Sequence, residues 1–467
     1  MRFNLSTAFL LTSILPDAHG WLFEREAVIV KPRVLLHHIE RQDASPFLLG
    51  QHGSATDKRQ TGHLEVPLYN QRSFYFMNIS LGGSNGQGIR VQLDTGSSDL
   101  WVNTQEGSET ICNSNLFGQC QSGTYNANSS FSYRYVNSDF NISYASGRRV
   151  TGDYVTDYLH IGEYLVINQF QFGIGYDSTM QNGILGIGYP ANEATVQQGG
   201  QQYPNLPQRL VDDGHIQTMA YSLWLNDLHA ATGSILFGGI DTAKFAGDLV
   251  TVPIRPGSPR FIIGLSGVGQ NGDATSMSGN INLDALLDSG STYTYLPDDL
   301  TQDIYKVVGA ELVNVTNFPG GLKAAVIDCS EAQSDRVFNF QFATNKVLKV
   351  GMNELVQRES NIEDAKCVFG ILPVSDNAEA ISVIGDTVLR SAYVVYDLQN
   401  DQISLAQTVF NATGENVVEI DGRGVLNTTG IMSVQGDVPS SAVRSSSVSL
   451  LLLVVLLTCC LGWQPVR

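Results

Sequence analysis

The strongest constraint in this chain of 467 residues is a motif that occurs twice. Leu93-Asp94-Thr95-Gly96-Ser97-Ser98 returns as Leu287-Asp288-Ser289-Gly290-Ser291-Thr292, and each copy follows an apolar run that reads as a strand. Each is followed at a distance by an apolar-apolar-glycine tripeptide, Ile184-Leu185-Gly186 and Val383-Ile384-Gly385. The Asp-to-Gly separations are 92 and 97 residues. A single Asp-Thr/Ser-Gly is an ordinary turn. Two copies with matched distal partners indicate an internal duplication, and therefore two related lobes that each contribute one aspartate.

The rest of the body supports β structure. From Val66 onward, short runs rich in Val, Ile, Tyr and Phe alternate with Gly/Asn/Asp/Ser clusters, as in residues 73–83 and 88–96. Residues 391–407 form a hairpin pattern turning at Gln399-Asn400-Asp401. Helical pattern is confined to 205–213, which stops at Gly214, and 297–308. With 43% hydrophobic residues the chain can bury a large core, and its length suggests two or three domains. The charge is −18, from 27 Lys+Arg against 45 Asp+Glu, which argues against nucleic acid as a partner because such affinity comes mostly from cations on phosphates.

Both ends have a different character. Residues 1–20 carry Arg2, an apolar run from Leu5 to Leu15 and small residues near Ala18 and Gly20, the form of a secretory signal peptide. Residues 21–59 hold six Lys/Arg and finish at Lys58-Arg59, a dibasic pair suited to a processing protease, so they read as a pro-segment. At the far end, small residues at Ser440-Ser441-Ala442, a polar spacer and the apolar run Leu450–Trp463 fit a GPI-attachment signal over 441–467, with attachment at Ser440 or a neighbour. A short membrane anchor is the other reading of that run. Either one tethers the product at the cell membrane, facing outward to the cell surface or wall. Seven cations and six acids lie before residue 60 and two cations after residue 440. Residues 60–440 therefore carry 18 Lys+Arg against 39 Asp+Glu, a charge near −21.

Two of the six cysteines, Cys459 and Cys460, lie in the apolar tail. The other four form a close pair, Cys112 and Cys120, and a wider pair, Cys329 and Cys367. Three connectivities exist, and separation along the chain favours the local loops 112–120 and 329–367. No Cys/His spacing suggests zinc, and no metal or cofactor is expected. Sequons at Asn78, Asn128, Asn141, Asn314, Asn411 and Asn427 are compatible with a glycosylated surface. The eight histidines are scattered and give little support to a Ser-His-Asp triad.

Over residues 60–408 the sequence resembles the pepsin-like aspartic proteases. The resemblance rests on VQLDTGSSDLWV (91–102), LLDSGSTYTYLP (286–297), NGILGIGYP (182–190), VIGDTVLRSAYVVYD (383–397) and ILFGGIDTAKFAGDLVTVPI (235–254). The pro-segment, the paired cysteines and the tail point toward the fungal cell-surface branch, the yapsins. The resemblance implies an all-β bilobal fold with pseudo-twofold lobes, few short helices and the active-site cleft between them. The first lobe would span 60–245, the second 246–408, and a stalk 409–440. It also implies a monomer acting on protein or peptide substrates, with a preference for basic residues.

The chemistry is consistent with that resemblance. Metal-free peptide hydrolysis needs a water deprotonated as it attacks and a leaving nitrogen that is then protonated. Two carboxyls sharing one proton, here Asp94 and Asp288, supply both functions. Gly96 and Gly290 permit the tight turns that bring backbone N–H groups to the carboxylates. By resemblance, Ser97 and Ser291 hydrogen-bond the outer carboxylate oxygens, and Thr95 and Ser289 cross-brace the two loops. Residues 141–147 match the flap that closes over substrate, with Tyr144 as its tyrosine, Trp101 as that tyrosine's partner, and Gly147 at its tip. Ala145 replaces a glycine common in relatives and bears on flap flexibility. Lys31 or Arg33 could occupy the dyad in a zymogen. The competing reading is a catalytically silent pepsin-like wall or binding protein, which would be free to lose any of these residues.

Overall fold

The computed structural model describes residues 34–40, 74–83, 86–104, 120, 122–162, 165–314, 323–343, 345–358, 366–374, 381–425 and 428–431. The expected signal peptide, most of the pro-segment with Lys31, Arg33, Lys58 and Arg59, Cys112, Asn427, Ser440 and the tail 441–467 lie outside the described residues.

The first half is built of strands β1 (Leu35–Glu40), β2 (Phe76–Leu81), β3 (Gln87–Asp94), β4 (Leu100–Asn103), β5 (Arg134–Ser143), β6 (Arg149–Ile161), β7 (Leu165–Ser178) and β8 (Gly183–Gly186). Helices α1 (Ala194–Gln197) and α2 (Leu206–Asp212) follow. Alternation dictates these strands. Along β6 the buried Val150 and Tyr154 pack into one cluster and Val155, Leu159 and Ile161, of the other parity, into the main core, while β5, at the sheet edge, buries only Phe140 and Ile142. Strands β9 (Ala220–Trp224), β10 (Thr232–Phe237), β11 (Gly239–Asp241) and β12 (Phe245–Pro253) carry the chain across.

The second half contributes β13 (Ile262–Gln270), β14 (Leu283–Leu287) and β15 (Thr294–Leu296), then α3 (Asp298–Val308) and the short α4 (Met352–Leu355). Next come β16 (Ser382–Ile384), α5 (Asp386–Leu389), β17 (Ala392–Asp397) and β18 (Gln402–Thr408). Helix α3 shows why the sequence chose it. Asp298 and Asp299 sit in its first turn and Lys306 in its last, both favourable to the helix dipole. Leu300, Ile304, Tyr305 and Val308 bury one face, and the helix stops at Gly309.

A thirteen-stranded sheet runs β12-β18-β17-β9-β10-β1-β2-β3-β8-β4-β7-β6-β5. A seven-stranded sheet holds β13, β14, β16 and β15 in that order. The duplication read from sequence appears as a repeated pairing. β3 pairs parallel with β8 and β8 antiparallel with β4, while β14 pairs parallel with β16 and β16 antiparallel with β15. The fold is all-β and bilobal, as expected, and both helical segments fall where the sequence placed them. Cys329 and Cys367 are bonded to each other, and Cys120 is also disulfide-bonded.

In two segments the structure shows pairing that the sequence reading did not specify. β1, inside the expected pro-segment, is a full member of the large sheet, paired with β10 from Leu35↔Phe237 to Glu40↔Thr232. The described part of the expected stalk 409–440 is not a free spacer. Its strand β19 (Val417–Glu419) pairs with β11, and Thr429 and Ile431 bridge to Asp248 and Ala246 of β12. The reason is apolar. Ile420, with Ala412 and Val425 beside it, covers a core formed by Trp224, Ile240, Phe245 and Tyr393.

Candidate active site

The two aspartates stand at equivalent strand ends. Asp94 is the last residue of β3 and Asp288 directly follows β14, each beside the parallel strand of its repeat. Their main chains are fixed by that pairing, since Ile187 N–H donates to Asp94 O and Asp288 N–H to Ile384 O. Each carboxylate receives the same two donors. Asp94 Oδ1 accepts Gly96 N–H at 2.7 Å and Oδ2 the Ser97 hydroxyl. Asp288 Oδ1 accepts Gly290 N–H at 2.8 Å and Oδ2 the Ser291 hydroxyl at 2.7 Å.

The two loops lock across the lobes. Thr95 Oγ1 donates to Leu287 O at 3.0 Å and accepts Ser289 N–H at 2.9 Å. Reciprocally, Ser289 Oγ donates to Leu93 O at 3.1 Å and accepts Thr95 N–H at 3.2 Å. Four hydrogen bonds at two buried hydroxyls thus fix the two loops against each other and set the carboxyls side by side. Gly96 and Gly290 serve this closeness. A Cβ at Gly96 would lie 2.6 Å from Asp288 Oδ1, and one at Gly290 2.3 Å from Asp94 Oδ1. The glycines are needed less for turn conformation than because the partner's carboxylate occupies the side-chain position.

Electrostatics follow from this packing. Burial raises the Asp94 carboxyl above its ordinary range, the Asp288 charge raises it further, and the Ser97 and Gly96 donors oppose the shift. A pair in this situation holds one proton over a wide pH range.

Above the pair, β5 and β6 form the hairpin expected as the flap. Its turn closes with Tyr144 N–H donating to Arg148 O and Gly147 N–H to Tyr144 O. Gly147 takes the left-handed conformation at φ +76°, which favours glycine. Ala145 has no such demand on it, so its replacement of glycine costs the turn nothing. The Tyr144 hydroxyl accepts the Trp101 indole N–H at 2.7 Å, and burial together with the Asp94 charge holds that hydroxyl protonated.

The sequons occupy varied settings. Asn78 is half-buried opposite Arg90. Asn128, Asn141 and Asn314 are exposed, Asn141 on the flap's outer strand, and exposed Asn411 donates to Asp227.

Sequence reasoning missed three contributors. Gln92 Nε2 donates to Gly290 O across the lobes at 3.1 Å, and Asn192 Nδ2 donates to Gly96 O at 3.3 Å. Asp99, five residues after Asp94, is wholly buried and accepts from Tyr154, Tyr203 and the Ala194 N–H. The available signal was a glutamine between Val91 and Leu93 and an acid directly before the apolar Leu100-Trp101.

The comparisons agree with this geometry. A family model described as eukaryotic aspartyl protease matches residues 74–408. A protein of Arthroderma benhamiae named probable aspartic-type endopeptidase OPSB is 43% identical, with 89% of this chain and 88% of the relative covered. A protein of the same name from Aspergillus fumigatus is 45% identical over 76% of this chain and 72% of its own length. Secreted aspartic protease 6 of Candida albicans is 36% identical, covering 78% and 82%.

Proposed function

The chain belongs to the eukaryotic aspartyl protease family and is an aspartic-type endopeptidase, and on that premise we propose that it cleaves proteins or peptides at acid pH through Asp94 and Asp288. The observation that carries the reading is the cross-lobe brace, which holds the two carboxyls side by side, each against the other loop's glycine. With one proton between them, one carboxylate takes a proton from a water as it attacks the scissile carbonyl. The partner carboxyl donates to that carbonyl's oxygen, and the proton just gained passes to the leaving nitrogen. The flap excludes bulk water when it closes. Asp94→Asn keeps the shape but removes the shared proton, so turnover of a denatured protein at acid pH should fall by about 10³-fold or more. Undiminished turnover would refute the mechanism.

The remaining attributes rest on the sequence. The leader and the dibasic pair support a secreted zymogen, and β1 shows that residues ahead of Lys58-Arg59 are part of the folded sheet. Mass measurement of a Lys58→Ala/Arg59→Ala chain should find the precursor uncut. The tail supports GPI anchoring at the outer face of the cell membrane, tested by release with a phosphatidylinositol-specific phospholipase. The charge near −21 on residues 60–440 supports basic side chains in the substrate, and cleavage profiling on a peptide library tests it.

A further inference from the structure

Beneath the flap lies a second pair of acids that the dyad mechanism does not use. Asp99, between β3 and β4, and Glu193, immediately before α1, are both fully buried. Asp99 Oδ1 accepts the hydroxyls of Tyr154 at 2.8 Å and Tyr203 at 2.9 Å, and Oδ2 accepts the Ala194 N–H at 2.8 Å. These donors come from β6, from the loop before α2 and from the start of α1. One carboxylate therefore ties three elements together. Glu193 Oε2 accepts the Tyr203 N–H at 2.8 Å, while its Oε1 has no hydrogen-bond partner.

The tied elements form the wall on which the flap rests. Tyr154 packs edge-on against Phe140 at 5.2 Å and against Tyr203 at 5.6 Å. Both tyrosines belong to one apolar cluster with Trp101, Phe140, Ile142 and Ala194, and Tyr144 packs against it. Trp101 is the donor to the Tyr144 hydroxyl, and the Asp99 charge reaches that hydroxyl directly.

We propose that Asp99 and Glu193 are positioning residues of the flap, two buried carboxyls that hold the wall against which Tyr144 docks. Burial raises the Asp99 carboxyl above its ordinary range, and the three donors from Ala194, Tyr154 and Tyr203 oppose that shift. Glu193, with one donor and a bare oxygen, is stable only when protonated, because an unpaired buried charge is far more costly than a buried neutral acid. The groups facing the pair are Tyr154, Tyr203 and Tyr144, and neither acid has a cation partner among the described residues. Asp139, on the β5 side that meets α1, is exposed.

The pH consequence has a definite sign. Burial, and secondarily the Asp99 charge, push Glu193 up to about 9. The folded protein therefore keeps a proton that the unfolded chain releases above the ordinary glutamate range. Its contribution to stability is complete below about 4.5 and is lost progressively as pH rises toward 9.

The inference rests on the dyad and flap reading, and the test separates the two. Active sites are counted by titration with a hydroxyl-bearing transition-state mimic, so misfolded protein does not enter the rate. Per titrated site, Asp99→Asn should lose about tenfold or more in kcat with KM changed far less, because its amide has one acceptor oxygen and cannot serve both the Ala194 N–H and the two tyrosine hydroxyls. Tyr203→Phe should reproduce part of that loss. Glu193→Gln cannot ionise, and should raise the pH at which incubated enzyme loses half its activity by about one unit or more. An unchanged kcat per site in Asp99→Asn, or an unmoved or lowered inactivation pH in Glu193→Gln, would overturn the proposal. Asp94→Asn in the same series reports on the dyad alone, and turnover surviving there would instead remove the premise.

Discussion

At the scale of single residues, the site is a set of donors placed on two carboxylates and a set of side chains left out to make room. Ser97 and Ser291 were legible because each follows its aspartate by three residues in both copies of the motif. The hydroxyls of Thr95 and Ser289 each reach across 194 residues of sequence to accept the other residue's backbone N–H, a brace that the sequence suggested only through the family resemblance. Gly290 gives the sharpest test. The Cβ of Gly290→Ala would fall within 2.3 Å of Asp94 Oδ1, so the carboxyls must separate, and displacements near 1 Å cost about 10²-fold in rate. The expected outcome is a fall of that order in kcat/KM, with the unfolding transition little changed.

At the scale of elements, a buried ion pair inside the second half also accepts a hydrogen bond from the first half. Arg390, just after α5, donates from Nε to Glu354 Oε2 of α4 at 2.6 Å, with both side chains essentially inaccessible. Glu354 Oε1 also accepts the Leu228 N–H, from the loop between β9 and β10 in the first half of the chain. Glu354→Ala would strand a guanidinium in the interior, and breaking a buried pair costs about 3–5 kcal/mol. Denaturant unfolding should show a loss of that size, and Glu354→Gln a smaller one because an acceptor remains. A second element-scale expectation concerns Cys329–Cys367, which closes a loop of sequence separation 38. Replacing both with Ser should lower stability by about 2–4 kcal/mol, read by the same method.

At the scale of the whole molecule, the described C-terminal segment completes the large sheet's outer face. Ending the chain after Thr408 would uncover Trp224, Ile240 and Phe245 where Ile420 now lies 1% exposed. Full burial of one such side chain contributes about 1.5–3 kcal/mol. A chain ended after Thr408 should therefore melt well below one ended after Ile431, as calorimetry would show. Charge acts at this scale too. A body with only 18 Lys+Arg gains little positive charge as its acids protonate, so it should resist acid expansion in the range where a shared-proton pair works.

The sequence by itself determined the duplication and the all-β class, and its family resemblance pointed to Asp94 and Asp288, their serine donors and the flap tyrosine. The duplication and the β class depend on local patterns, a strand followed by a fixed motif, and a repeat announces itself without any knowledge of contacts. Only the tertiary structure decided that β1 belongs to the large sheet and that residues 409–431 pack onto the body. Their pairing partners are remote, and Val417, Ile420 and Val425 are too sparse to show a period. The same holds for Asp99 and Glu193. They lie 94 positions apart, neither sits in a repeated motif, and they become a pair only when burial removes the water that would otherwise have kept two acids independent.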